Sequence, residues 1–239
     1  MAELDPLSRT DSAEGTEDLD RRTTQAMVAG RLRFEILSGL IPPGTRLLQA
    51  KIAARMRTST TPVREAMAEL SAEGLVDLDP HRGVIVHEPT ESDLHEIYEM
   101  RSLLDPVLFA KTVTNITDSE IERLDGLCSR MEQEPEPGAW VVLNSRFHAG
   151  MDTAARSPLL AGTVRNLRNR SSIYIAASLL ESSERMTRAN AEHRAMIEAC
   201  RVRDLDQGLE PTRKHIEATV ELVTGQLRRL RSKTAGMTL

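Results

Sequence analysis

Apolar residues near the start of the chain recur at helical spacing and predict a first helix. The pattern begins after Thr23, a residue that can cap a helix, and includes Leu32 and Ile36. It ends near Gly39, and the proline and glycine residues at 42–44 indicate a turn.

Two shorter helices and a hairpin are predicted next. Residues 49–56 have helical periodicity, and a new helix begins at Thr60 or Thr61, with a proline in its first turn, and ends at Gly74. Short apolar runs on either side of 79–83 predict a β-hairpin. The order helix, helix, turn, helix, hairpin is typical of a winged helix-turn-helix, a DNA-binding fold.

The remainder of the chain has long amphipathic periods, which predict an all-helical second half. About six helices are expected, at 91–113, 117–132, 138–154, 158–180, 184–202 and 204–230. The predicted fold class is therefore mainly α, with a winged helix-turn-helix of three helices plus a β-hairpin followed by an all-α bundle. The predicted domain boundaries are a disordered acidic tail at 1–20, a DNA-binding domain at 21–89, a helical domain at 90–231 and a flexible C-terminus at 232–239.

Composition and charge narrow the class of protein. The 239 residues carry a net charge of −5, but residues 1–20 contribute −6, residues 21–90 contribute +3, and the rest contribute −2. A locally basic segment is compatible with one DNA-binding module. The sequence has no apolar run of membrane-spanning length, no signal-like start and only Cys128 and Cys200, so we expect a cytoplasmic protein without a membrane partner.

Four separated blocks, at 32–39, 43–47, 61–66 and 73–76, resemble the GntR family of bacterial regulators. The resemblance implies double-stranded operator DNA as a partner. Our hypothesis for the mechanism is a homodimer that places two recognition helices, 61–71, in successive major grooves.

The predicted DNA-binding residues lie in the helix-turn-helix, at about 49–68, and at the tip of the wing. They are Lys51, Ser59, Thr60, Thr61, Arg64, Arg82 and Gly83. The first turn of the recognition helix offers free N–H groups and hydroxyls, and an Arg fork can bind a guanine edge or a phosphate.

Alternatives remain for two parts of this set. Arg64 could instead form a surface ion pair with Glu65 or Glu69, and the residues at the wing tip could belong to a solvated turn.

The chain departs from the family pattern at three positions of this region. Many relatives have Arg where Thr60 stands, some have Arg where Ala50 stands, and Gly is usual where Arg57 stands. The operator sequence is therefore expected to differ from the commoner ones. If residue 57 must adopt a positive φ, Arg is less favourable there than Gly.

The second half resembles the FCD ligand-binding domain of the FadR-type branch, through residues 99–105, 144–148, 192–197 and 215. The resemblance implies a divalent metal held by Asn144, His148, His193 and His215. Asn144 and His148 are four residues apart and therefore share one helix face. Zinc is the first expectation, and nickel, manganese or iron would also suit these ligands. Because relatives commonly have Asp where Asn144 stands, occupancy of the site is in question.

The same resemblance implies a small carboxylate effector, and Arg101 is the candidate residue for binding it. The alternative for Arg101 is an intrahelical ion pair with Asp105. Three histidines could also form a hydrolytic zinc enzyme, or a bundle in which the metal is purely structural. The attached winged helix favours a ligand-responsive repressor, with coupling expected through residues 79–93.

Overall fold

The computed structural model describes residues 11–172, 175, 179 and 183–236. These residues form an N-terminal winged helix-turn-helix followed by a bundle of α-helices, which confirms the predicted fold class. No helix in these residues is long and apolar enough to cross a membrane.

The N-terminal unit is built on three helices: α1 (Asp11–Leu37), α2 (Gln49–Met56) and α3 (Thr60–Ala72). Helix α1 buries Leu32 and Ile36 completely, as their spacing predicts. On its other side, the Arg33 guanidinium binds Glu69 at 2.8 Å and Glu73 at 2.6 Å. These two ion pairs attach the C-terminal half of α3 to α1.

Helix α1 begins earlier than the sequence pattern predicts. The pattern places its start near Thr23 after a disordered tail at 1–20, whereas the structure has helix from Asp11 onward. The first ten residues of the predicted tail lie outside the described residues. Acidic residues are favoured near a helix N-terminus, so the acidic composition of 11–20 does not oppose a helical extension. Similarly, the last helix continues to Gly236, into the segment predicted to be flexible.

A three-stranded antiparallel sheet completes the winged helix. Its strands are β1 (Arg46–Leu47), β2 (Val76–Asp79) and β3 (Gly83–Val86), in the order β1-β3-β2. The hairpin of β2 and β3 was predicted. Strand β1 was not, because two residues are too few to show an alternating pattern.

Six helices in the described part of the chain form the second unit. They are α4 (Glu91–Asn115), α5 (Asp118–Glu132), α6 (Pro137–Ala154), α7 (Pro158–Ser172), α8 (Ser183–Arg201) and α9 (Leu205–Gly236). Capping boxes begin α4 at Thr90 and α5 at Thr117. The predicted helix at 158–180 corresponds to α7, and most of its last eight residues lie outside the described part.

Packing in the bundle brings five of its helices together. Helix α4 contacts α6, α7 and α9, and α8 packs along α9. Phe147 of α6 is fully buried near the centre. The histidines predicted to bind metal lie on α6, α8 and α9, so the packing of these helices brings them into one interior.

Candidate DNA-binding surface and metal centre

The predicted DNA-binding residues lie on the outer side of the winged helix. Helix α3 begins at Thr60, and Ser59 stands at its N-cap without using its side chain in a capping bond. Lys51, Arg64 and Thr60 are exposed, and Thr61 is partly exposed. The start of α3 therefore presents cationic, hydroxyl and backbone N–H groups to the surroundings, as binding in a DNA groove requires.

The proposed ion pair of Arg64 with Glu69 is not what the structure contains. Glu69 instead accepts a hydrogen bond from Arg33 at 2.8 Å and from Gln25 at 3.3 Å. Glu69 is thereby committed to the contact between α1 and α3. The DNA-binding role of Arg64 stays a prediction.

The turn between α2 and α3 contains Arg57, at the position where glycine is usual in the family, and this residue has a positive φ. Arg57 has φ 53° and ψ 44°, in the left-handed region that glycine adopts most easily. Its exposed side chain adds a positive charge close to the start of α3.

The wing tip combines a tight turn with two cations. Asp79 accepts hydrogen bonds from the backbone N–H groups of His81 at 2.7 Å and Arg82 at 2.8 Å, and Gly83 has φ 81°. A Cβ built on Gly83 would lie 3.8 Å from Nε of Arg46. Arg82 and Arg46 are both exposed. Sequence reasoning missed Arg46, because its proximity to the wing depends on the pairing of β1 with β3.

The three predicted histidine ligands do converge. One nitrogen from each of His148, His193 and His215 lies within 4.8 Å of the other two, and all three side chains are buried. The ring centroids of His193 and His215 are 4.8 Å apart. The ring centroids of Phe147 and His193 are 4.5 Å apart, and Phe147 forms part of the apolar surroundings of the histidines.

Burial keeps these imidazoles neutral. Desolvation, followed by the positive charge of Arg168, lowers the pKa of His148 well below its ordinary value. Desolvation and the neighbouring His215 do the same to the pKa of His193. Desolvation also lowers the pKa of His215. Because a metal ligand must be a neutral imidazole, these directions all favour the protonation state that coordination requires.

A carboxylate orients one of the rings. Oε2 of Glu192 lies 2.7 Å from Nδ1 of His215 and is also bound by the Arg185 guanidinium at 3.1 Å. Burial acts to raise the pKa of Glu192, but the interactions with His215 and Arg185 bring it below its ordinary value. An ionised Glu192 accepts the Nδ1 proton and leaves Nε2 of His215 available, an arrangement common behind metal-ligating histidines.

Orphaned polar atoms show that these residues fit a metal ion. Oδ1 of Asn144 and both ring nitrogens of His193 are buried and have no hydrogen-bond partner among the described residues. Buried groups of this kind are normally satisfied, and a coordinated cation would satisfy them. Together with His148 and His215 they supply three nitrogen donors and one amide oxygen.

A network of buried charges lies against the histidines. Nε of Arg101 donates to Asp105 at 3.0 Å, and Arg168 of α7 binds Asp105 at 3.0 Å and Asp152 at 2.8 Å. Arg101 and Arg168 line two cavities that border His148 and His215, with volumes of about 40 and 30 Å³.

The ion pair of Arg101 with Asp105 is present, whereas effector binding by Arg101 stays a prediction. Arg101 also lines the cavities beside the histidines. Sequence reasoning missed Arg168, Asp152 and Glu192. Asp152 had a usable signal, because it continues the four-residue spacing of Asn144 and His148 along α6, and Glu192 precedes His193 in a block that carries the family resemblance.

Comparison with known families matches both halves of the chain. The profile described as "Bacterial regulatory proteins, gntR family" matches residues 24–86. The profile described as "FCD domain" matches residues 96–218, more than half of the chain.

Individual relatives agree with these matches. The chain is 29% identical over 193 residues to the gluconate operon transcriptional repressor of Bacillus subtilis, covering 78% of this chain and 79% of the relative. It is 32% identical over 147 residues to a probable D-xylose utilization operon transcriptional repressor of Paenarthrobacter nicotinovorans, covering 59% and 65%. The solved structure of E. coli McbR/YncC has a similar fold, with a TM-score of 0.73 at 21% identity over 85% of this chain and 98% of that one.

Proposed function

Because the chain belongs to the GntR family of bacterial regulatory proteins and carries an FCD domain, we propose that it is a ligand-responsive repressor. Its relatives are DNA-binding regulators of transcription, and the chain is a regulator rather than an enzyme. The observation that carries the proposal is a buried cluster of three histidines beside an arginine-lined cavity, in the same chain as an exposed recognition helix.

The DNA contacts proposed for the winged helix follow from its exposed cations. Arg64 reads a base edge or binds a phosphate from the first turns of α3, while Lys51 and the hydroxyl-bearing residues 59–61 contact the backbone. Arg82 and Gly83 approach the adjacent minor groove or backbone from the wing. Operator DNA is found in the cytoplasm, so that is the expected site of action.

The proposed metal ligands are Asn144, His148, His193 and His215. Zn²⁺ is the first candidate, and Ni²⁺, Mn²⁺ and Fe²⁺ share its preference for imidazole. The neutral Asn144 amide attracts a cation less strongly than a carboxylate would, so affinity should be lower than at a site with Asp in that position. When bound, the metal would supply a positive centre that can accept a carboxylate oxygen.

The proposed effector is a small carboxylate. Arg101 and Arg168 face the cavity beside the histidines, and planar guanidinium groups bind carboxylates through two parallel hydrogen bonds. Both arginines already bind Asp105, so an entering anion would compete with a carboxylate of the protein itself. One relative is named for a gluconate operon, which makes gluconate a reasonable first compound to test.

A homodimer is proposed on one apolar surface of the bundle. Met100, Leu103 and Val107 of α4 are 41%, 69% and 50% exposed, and they share one helix face by their spacing. Leu159 of the adjacent α7 is 85% exposed. A second copy of the chain would cover this surface and place two α3 helices on the half-sites of one operator.

The function is tested by measuring binding to the DNA upstream of the chain's own gene. Fluorescence anisotropy over a range of salt concentrations would be combined with elemental analysis of protein purified without chelator. We expect salt-dependent, sequence-specific binding that weakens when an effector such as gluconate is added. DNA binding with bound metal but no response to any of a panel of carboxylates would favour a purely structural metal. Absence of specific DNA binding would contradict the proposal.

A further inference from the structure

Helix α7 contacts both the cavity and the recognition helix. Its Arg168 side chain, 12% exposed, extends inward between Asp105 of α4 and Asp152 of α6. Arg168 also borders both cavities lined by His148 and His215.

The neighbouring residues of α7 face the winged helix. Nδ2 of Asn166 donates to the carbonyl oxygen of Ala72 at 3.0 Å, and Nδ2 of Asn169 donates to that of Glu73 at 2.9 Å. These are carbonyls at the C-terminal end of α3, which have no acceptor role left inside that helix. Two side-chain amides of α7 therefore cap the end of the recognition helix.

Helix α7 lies close to the end of α3 at Gly74. Gly74 has φ +78°, and a Cβ built on it would lie 3.0 Å from Oδ1 of Asn166 and 3.1 Å from Cγ of Arg170. Nε of Arg170 donates to Oδ1 of Asn166 at 3.1 Å, which orients the amide so that its Nδ2 faces α3. A side chain at residue 74 would be strained by the positive φ and would press on the side chains of Asn166 and Arg170.

Arg170 extends the contact to the wing. Its Nη1 lies 3.4 Å from both ring nitrogens of His87, and Nδ1 of His87 is 2.8 Å from the Asp77 carboxylate on β2. Helix α7 thus holds the end of α3 and the base of the wing at the same time.

We infer that α7 couples the cavity to DNA binding, with Arg168 sensing the occupant and Asn166 and Asn169 acting as positioning residues for the end of α3. The inference rests on the effector binding proposed above. Arg168 and Asn169 are adjacent on one helix, so a change in the partners of Arg168 that shifts or rotates α7 must also move the two amides. Packed elements respond to such changes by small rigid displacements. This route passes through the end of α3, and through Arg170 it also reaches His87 in the segment 79–93 that the sequence suggested.

The test uses amide hydrogen exchange of the full chain and needs neither effector nor operator. The amides of Glu73, Gly74 and Leu75 bond to carbonyls within α3, so their exchange reports how firmly its end is held. Arg168→Lys keeps the positive charge but removes the guanidinium group that binds both Asp105 and Asp152. We expect it to accelerate the exchange of these three amides by about tenfold, a size typical of coupled sites.

The same substitution is then made in a chain that already carries Asn166→Ala and Asn169→Ala. There we expect R168K to have no further effect on these amides, because the connection from α7 to α3 is already broken. If R168K does not fold, Asp152→Asn is the second perturbation, since it removes one partner of Arg168 and leaves the other in place.

Asn115→Ala is the matched control. Nδ2 of Asn115 donates to the carbonyl oxygen of Ala155 at 3.2 Å, which is the same kind of bond made within the bundle. We expect this substitution to leave the exchange of residues 73–75 unchanged.

Two results would overturn the inference. One is unchanged exchange at 73–75 in R168K or D152N, and the other is an equal acceleration with and without the two asparagines. A chain that fails to bind its upstream DNA but shows the expected exchange pattern would contradict the proposed function and leave the role of α7 supported.

Discussion

Arginine serves two different purposes in the two halves of this molecule. On the winged helix, Arg64, Arg57 and Arg82 are exposed and project from a helix, a turn and a wing tip. In the bundle, Arg168 and Arg101 are largely removed from water and bound to Asp105.

The difference follows from the partner each group must meet. Exposed cations retain their hydration until a phosphate displaces it, and they contribute little to the stability of the free chain. Buried cations need protein carboxylates to offset their desolvation, so the fold depends on them even before any ligand arrives. The exposed arginines of the winged helix should therefore tolerate substitutions that those beside the cavity do not.

The largest effect should come from removing the charge at the centre of the buried network. Arg168→Met leaves Asp105 and Asp152 buried without their shared partner, and we expect a loss of about 3–5 kcal/mol in the free energy of unfolding. Urea denaturation measures this loss. Arg123→Met is the control, because Arg123 is 67% exposed and its ion pair is 3.9 Å long. Equal stability of the two variants would remove the distinction between the two kinds of arginine.

For the recognition helix we expect a loss of DNA affinity with little change in stability. Arg64→Ala should weaken binding to a specific operator by about 1–3 kcal/mol and change the free energy of unfolding by less than about 0.5 kcal/mol. Anisotropy titrations and denaturation would be compared with those of Arg130→Ala, an exposed arginine on α5. Unaltered operator affinity would return Arg64 to its alternative role as an ordinary surface charge.

A smaller effect is expected at Glu192, the carboxylate that orients the candidate metal ligand His215. Glu192→Gln keeps the shape of the side chain that orients His215 but removes its charge, and we expect Zn²⁺ affinity to fall by about 10- to 100-fold. Competition with a chromophoric chelator measures this change. Glu198→Gln, an exposed change on the same helix, should leave Zn²⁺ affinity unaltered. Matching affinities for the two variants would show that Glu192 does not support a metal ligand.

The smallest effect is expected at the exposed residue Arg57, where one substitution should act differently on stability and on DNA binding. Arg57→Gly relieves the positive φ of residue 57, and we expect the free energy of unfolding to rise by about 0.5–1 kcal/mol. Removing the charge should also make the salt dependence of DNA binding shallower, by about one phosphate contact. Thermal denaturation and anisotropy test the two parts. A less stable glycine variant would mean that the Arg57 side chain itself stabilises the turn.

Sequence patterns were sufficient for the elements and for several residues of the site. The helical periods predicted the bundle helices to within a few residues at most ends, and spacing on α6 placed Asn144 and His148 on one face. These signals are local, because residues three and four apart on a helix are neighbours whatever else surrounds them. The histidines of α8 and α9 came from the family resemblance, and their convergence is a result of helix packing.

The sequence by itself determined that the chain would combine a winged helix with a helical bundle, since amphipathic periods and turn residues specify such elements locally. Only the tertiary structure decided that β1 would pair with β3, that Arg168 would bridge Asp105 and Asp152, and that α7 would cap α3. These contacts join residues from 16 to 96 positions apart. Their formation depends on how whole helices pack, which no periodicity along the chain records.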